Sequence, residues 1–267
     1  MNPREIEETL KQVERIANEA GELVLEGYRK PIDIQKKGVI DLVTEFDLKS
    51  EELVRKRLEE SFPGCAIVGE EGEQNHDADY VWYVDPIDGT TNYAHGHPYF
   101  AVSIALCHKL DPLVGVVRAP ALDVTWKAGR GQGAFRNEVP CKVSTISDLR
   151  QALCATGFPY DRHITDDDNL REWSGFIKRT VGIRRCGAAA IDLSLVADGT
   201  YEIYWEQKLN SWDLGAACLF VTEAGGQVCD YDGTPRQMTS GRVLASNGHL
   251  HGTALEILQT ARAELDA

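Results

Sequence analysis

Two carboxylates, Asp85 and Asp88, lie in Asp85-Pro86-Ile87-Asp88-Gly89-Thr90-Thr91-Asn92, directly after the run Tyr80-Val81-Trp82-Tyr83-Val84. That run is rich in aromatic and β-branched residues, which suit a strand. The strand therefore carries both acids to its carboxyl end. Pro86 stiffens the turn by fixing φ. Gly89 leaves bare backbone N–H groups, and two hydroxyls follow it. Carboxylates attract hard cations and exposed N–H groups attract anions, so this short segment can hold a divalent metal and a phosphate together. The chemistry it suggests is metal-assisted reaction at phosphorus.

Other acids are spaced to join it. Glu70 and Glu71 end a second strand-like run, Cys65-Ala66-Ile67-Val68, and neighbouring strand ends form crevices that gather ligands. Asp213 opens a predicted helix in Ser211-Trp212-Asp213-Leu214-Gly215-Ala216-Ala217, where a first-turn acid also stabilises its own helix. Asp47 closes the series Asp41, Thr44, Asp47, and it too could be a cap. His95 and His97 read as polar surface, because no third soft ligand accompanies them. Asp166-Asp167-Asp168 reads as a solvated first helical turn behind a Thr165 cap.

The elements that must position these groups follow from periodicity. Ile6, Leu10, Val13, Ile16, Ala17, Ala20, Val24 and Tyr28 mark a long amphipathic first helix. After a polar connection over 36–41, a second helix is predicted from about Phe46 to Ser61, burying Leu48, Leu53, Val54 and Leu58 until Phe62-Pro63-Gly64 stops it. Strands are predicted at Tyr99–Cys107 and Leu113–Val117, joined near Asp111-Pro112, then at Asp123–Lys127 and Gly133–Arg136. Beyond about residue 150 the texture alternates. Strands at Ala152–Ala155 and Tyr201–Trp205 mix with helices over 166–179, 188–197, 212–224 and 249–264. The expectation is a mixed α/β protein, one domain over 1–267 in two packed halves of about 1–150 and 151–267.

A net charge of −14 argues against direct nucleic-acid binding and against an anionic membrane partner. No apolar run reaches the ~18 residues of a transmembrane helix. Seven scattered cysteines without a C-x-x-C pair fit free thiols in a reducing cytoplasm.

Together the motifs resemble the inositol monophosphatase family of magnesium-dependent, lithium-sensitive phosphatases. The resemblance rests on Trp82-Tyr83-Val84-Asp85-Pro86-Ile87-Asp88-Gly89-Thr90-Thr91-Asn92-Tyr93 and on Trp212-Asp213-Leu214-Gly215-Ala216-Ala217, followed by Val221-Thr222-Glu223-Ala224-Gly225-Gly226. Asp41-Leu42-Val43-Thr44, Gly69-Glu70-Glu71 and Arg184-Arg185-Cys186-Gly187-Ala188-Ala189-Ala190 support it in the same order. It implies a layered α-β-α-β-α sugar-phosphatase fold. It also implies two to three Mg²⁺ ions per site: a first on Glu70, Asp85 and the Ile87 carbonyl, a second on Asp85, Asp88 and Asp213, and a weaker third leaning on Glu70.

On the same ground Gly89 and Thr90 offer N–H groups to the phosphate, while Glu70 and Thr90, with Asp47 behind Thr90, orient and deprotonate the attacking water. Displacement is in line, with no covalent intermediate, and the motif has no Ser–His pair for a nucleophilic route. Gly187, Ala189, Glu206, Asp88 and Asp213 line the substrate pocket, Lys37 lies near the weaker metal, and Arg184 and Arg185 face substrate, a dimer partner or nearby carboxylates.

Asn210 and Ala188 depart from the histidine and threonine of the animal enzymes, which leaves strict inositol specificity open. The expected activity is hydrolysis of inositol monophosphate and related small phosphomonoesters by a cytoplasmic homodimer. Fructose-1,6-bisphosphatase, histidinol-phosphatase and 3′-phosphoadenosine-5′-phosphate phosphatase are the alternatives within that chemistry. A role in binding RNA polymerase is the alternative of another kind.

Overall fold

The computed structural model describes residues 1–36, 42–72, 78–235 and 241–263. Helix α1 (Pro3–Gly27) opens with a reciprocal cap: Glu5 N–H donates to Asn2 Oδ1 at 3.0 Å, and Asn2 N–H donates to Glu5 Oε2 at 2.7 Å. Ile6, Leu10, Val13, Ala17, Ala20 and Val24 form its buried stripe. A short ladder of β1 (Ile34–Lys36) and β2 (Leu42–Thr44) leads into α2 (Glu45–Ser61).

Strands β3 (Ala66–Gly69) and β4 (Tyr80–Asp88) run parallel, and a one-turn helix α3 (Thr90–Ala94) follows. An antiparallel meander completes the first sheet: β5 (Ala101–His108), β6 (Asp111–Ala119), β7 (Val124–Gly129), β8 (Ala134–Arg136) and β9 (Val139–Pro140). Its seven strands lie in sequence order. The remaining elements are β10 (Leu153–Thr156), α4 (Leu170–Ile177), β11 (Gly182–Arg184), α5 (Ala189–Ala197), β12 (Ile203–Leu209), α6 (Ser211–Glu223), β13 (Gln227–Cys229), β14 (Gly241–Ser246) and α7 (His251–Ala263). They build a five-stranded sheet in the order β11-β10-β12-β14-β13.

Helices α1 and α2 cover one face of the large sheet, α5 and α6 fill the space between the sheets, and α4 and α7 cover the far face of the small one. The result is the α-β-α-β-α layering expected. The inner helix α6 is apolar all round, with Leu214, Ala216, Ala217, Leu219, Phe220 and Val221 buried, as a helix between two sheets must be. It also sits unusually close to the large sheet. A Cβ on Gly115 of β6 would lie 2.7 Å from Ala216 Cα, and one on Gly215 would lie 2.8 Å from Ala105 Cβ on β5. On the outer side Phe176 stacks on Trp205 with ring centroids 4.0 Å apart.

Several sequence expectations need correction. Leu48 is 51% exposed, because the buried face of α2 is Asp47, Ser50, Glu51, Val54 and Leu58. Val54 and Leu58 are buried and Leu53 packs on the core as expected, but much of the stripe is polar because it backs the cleft described below, so counting apolar residues alone missed Asp47, Ser50 and Glu51. The β5–β6 hairpin turns at Lys109-Leu110, both at positive φ, and Asp111 already pairs with His108. The helix predicted over 166–179 is shorter, since Asn169 at φ +72° lies just before α4. Asp167 is no solvated first-turn acid: its carboxylate pairs with Arg242 at 2.9 Å and Arg262 at 2.6 Å.

His95 and His97 are exposed, as expected. Lys37 and Asp41 lie outside the described residues. All seven cysteines are free, and among the described residues no helix is long and apolar enough to cross a membrane.

Replacing Gly115 by valine should force α6 away from β6. Overpacking against backbone costs about 1–3 kcal/mol or more, so a thermal melt should show a clearly lowered Tm, with Gly115→Ala losing less.

Candidate active site

Strand β4 ends irregularly. Its pairing with β5 shifts register between Asp85, opposite Ser103, and Asp88, opposite Ala101, so the ladder is irregular between the two acids. Both are buried. The Asp85 Oδ1 accepts the Ile87 N–H at 3.0 Å. Asp88 reaches across to α5, whose own N-cap residue, Ala188, makes no side-chain cap bond. Its two carboxylate oxygens accept the Ala189 N–H at 3.0 Å and the Ala190 N–H at 2.8 Å. Those donors have no partner inside the helix, and the helix dipole favours an anion there.

Gly89 turns the chain at φ +91°, a left-handed conformation that favours glycine. Thr90 begins α3, and its hydroxyl lies 2.9 Å from Asp47 Oδ1 and 3.0 Å from the Ile87 carbonyl, two acceptors for one proton. Asp47 is fully buried in α2, where its Oδ2 also accepts the Thr44 N–H at 2.8 Å. It is thus both a cap and the support of Thr90. Asp213 has the same double character, since its Oδ2 accepts the Asn210 N–H at 2.6 Å at the start of α6.

One cleft of about 130 Å³ is lined by Glu70, Asp85, Ile87, Asp88, Gly89, Thr90, Gly187, Ala189, Glu206 and Asp213. Of the predicted site residues only Asp47 stands outside the lining, one layer behind Thr90. A roomier groove of about 690 Å³ runs between α4 and α7, lined by Arg171, Lys178, Arg179 and Glu256, and has no acidic cluster.

Burial, and then the charges of Glu70, Asp88, Asp213 and Asp47, push the Asp85 carboxyl well above its usual range. Burial lifts Asp88 to about 7 against the opposing pull of its two N–H donors. Burial likewise raises Asp213, against its bond from Asn210. Among the described residues no three acids, histidines or cysteines stand as a ready-made metal shell. The arrangement is an acidic cleft whose donors are all oxygens.

The opposite wall carries Glu206 on β12. Its carboxyl is pushed up to about 7 by burial, opposed by a hydrogen bond from the Tyr204 hydroxyl and by the charge of Arg185. Arg185 lines the cleft beside Gly187, whereas Arg184 does not; both are exposed.

Glu51 was not anticipated. Its buried carboxylate accepts the Glu71 N–H at 2.8 Å and Arg55 Nε at 2.7 Å, tying the segment that carries Glu70 to α2. The signal was its place four residues after Asp47 and three before Val54, on the buried face.

The inositol monophosphatase family matches residues 5–263. An inositol-1-monophosphatase of Synechocystis sp. is 42% identical over 87% of this chain and 82% of its own length. A protein of Pseudomonas aeruginosa named Nus factor SuhB is 40% identical over 92% of this chain and 93% of its own. Among solved structures, an inositol monophosphatase from Anabaena (Nostoc) sp. PCC 7120 superposes with a TM-score of 0.88 at 38% identity, covering 96% of this chain and 97% of that one. A match along nearly the whole chain, on a fold that gathers the motif acids in one cleft, is membership: this protein belongs to the inositol monophosphatase family.

Proposed function

We propose that this chain hydrolyses inositol monophosphate and related small polyol phosphomonoesters, releasing inorganic phosphate by attack of water at phosphorus. Its family is one of phosphoric monoester hydrolases. The observation that carries the reading is the single cleft shared by Glu70, Asp85, Asp88 and Asp213 with the Gly89–Thr90 turn.

The donor chemistry fits a hard divalent cation, because every candidate ligand is an oxygen and the buried acids repel one another. We assign two to three Mg²⁺ ions per site to Glu70, Asp85, the Ile87 carbonyl, Asp88 and Asp213. Bound there, such ions would supply positive charge to offset that of the phosphate and would make water more acidic. The protein's own groups supply the rest. The first-turn N–H groups of Gly89 and Thr90 hold the phosphate. The Thr90 hydroxyl gives its proton towards Asp47, which leaves its oxygen free to accept one from the attacking water, with Glu70 as the base. Glu206 accepts hydroxyl protons of the polyol, and Asp213 places a proton donor at the leaving oxygen.

The Nus-factor name of the Pseudomonas aeruginosa relative supports a second role in transcription, through RNA polymerase. This chain keeps every candidate ligand, so the second role stands beside turnover. We also propose a cytoplasmic homodimer.

Asp85→Asn should abolish Mg²⁺-dependent phosphate release, by more than about a hundredfold in kcat, while circular dichroism stays native. Retention of most activity would sink the assignment. Thr90→Ala should lower kcat by about a hundredfold with little change in the Mg²⁺ concentration for half-maximal rate; an unchanged kcat removes Thr90 from water activation.

Glu206 holds its proton up to about 7, against 4.5 for the ordinary carboxyl. The folded chain therefore keeps that proton where the unfolded chain has lost it, and stability falls as pH rises through this window. Glu206→Gln, in EDTA, should raise Tm near pH 8 with a gain that shrinks toward about pH 5. The same variant should raise KM for inositol 1-phosphate roughly tenfold.

A further inference from the structure

Asn92 ends the octet that carries the Gly89–Thr90 turn, and its side chain faces backbone carbonyls of two other segments. Its Nδ2 lies 2.7 Å from the Tyr99 carbonyl, 2.8 Å from the Cys186 carbonyl and 3.3 Å from the Gly187 carbonyl. The carboxamide has two protons, so the two shorter contacts are full bonds and the third is a weaker share. Tyr99 leads into β5 of the large sheet; Cys186 and Gly187 lead into α5. One side chain thus spans the junction beside the cleft.

Two of the same oxygens form the seat of the phosphate turn. A Cβ on Gly89 would lie 3.0 Å from the Tyr99 oxygen and 3.1 Å from the Gly187 oxygen. Gly187, at φ +84°, lines the cleft with Ala188 and Ala189. The carbonyl dipoles point their negative ends at a common spot. The amide protons of Asn92 satisfy them there, because an unpaired carbonyl at a half-buried position is costly and neighbouring carbonyls repel.

We propose that Asn92 is a positioning residue that fixes the distance between the phosphate-holding turn and the wall that receives the leaving group. It touches neither substrate nor attacking water. Together with the Asp88 bonds to Ala189 and Ala190, it sets where Gly187–Ala189 stand relative to Gly89–Thr90, and so how well a large polyol aligns with the phosphorus. Displacement of about 1 Å at such a site can cost about a hundredfold. The proposal rests on the phosphatase reading above.

The test compares kcat and KM for inositol 1-phosphate, whose ring reaches the Gly187 wall, with those for glycerol 2-phosphate, a smaller polyol ester of similar leaving-group acidity. Asn92→Ala should lower kcat/KM for the inositol ester by about thirtyfold or more, but for the glycerol ester by less than about threefold. Asn92→Asp keeps the shape but turns donors into acceptors, and should lose at least as much. Should the alanine variant not fold, Asn92→Ser, which keeps one hydroxyl donor, should give an intermediate loss with the same substrate bias. Equal losses on both substrates, or an Asn92→Asp enzyme with wild-type ratios, overturn the proposal. A wild-type protein that releases phosphate from neither ester overturns the phosphatase reading itself.

Discussion

The seat of α6 on the large sheet is the constraint on which the site depends. Gly115, Gly215 and Ala216 let the helix touch β5 and β6 almost backbone to backbone. Asp213 starts that helix while Asp85 and Asp88 end β4, so the helix-to-sheet distance sets the distance between acids contributed by remote parts of the chain. A tightly packed interior transmits such a spacing without slack. Neither the sheet nor the helix could define the cleft alone.

Within that frame the acids are held by backbone donors. Asp47, Asp85, Asp88 and Asp213 each accept N–H bonds at a turn or helix start. Capping and chemistry are therefore not competing explanations here. The bonds orient each carboxylate with part of its oxygen surface turned to the cleft, and they offset some of the cost of burying like charges together. What remains uncompensated appears as the raised proton affinity of Asp85, Asp88 and Asp213. Such a site trades stability for function.

Much of this was legible in the chain. The octet, Glu70 and Asp213 stood out by residue type and the fold gathers them in one cleft, and the stripe of α1 announced its helix by period. The short strands β13 and β14 did not, because three to six residues between helices carry little pattern of their own and form only by pairing across the sheet. The Lys109-Leu110 turn lacks the glycine or asparagine that usually marks positive φ. The spacing of Glu51 placed it on the buried face, but the supporting roles of Glu51 and Asn92 also run to partners 20 and 94 positions away, the Glu71 N–H and the Cys186 carbonyl. Long-range hydrogen bonds leave no local periodicity to read.

The bond from Asp88 to the start of α5 bears on how the chain folds. Helix α5 begins without a cap of its own and receives one only when β4, from the other sheet, has docked. An unsatisfied helix end is a weak nucleus. The start of α5 therefore gains its cap in the same event that closes the cleft, which couples the stability of that helix end to the docking of β4.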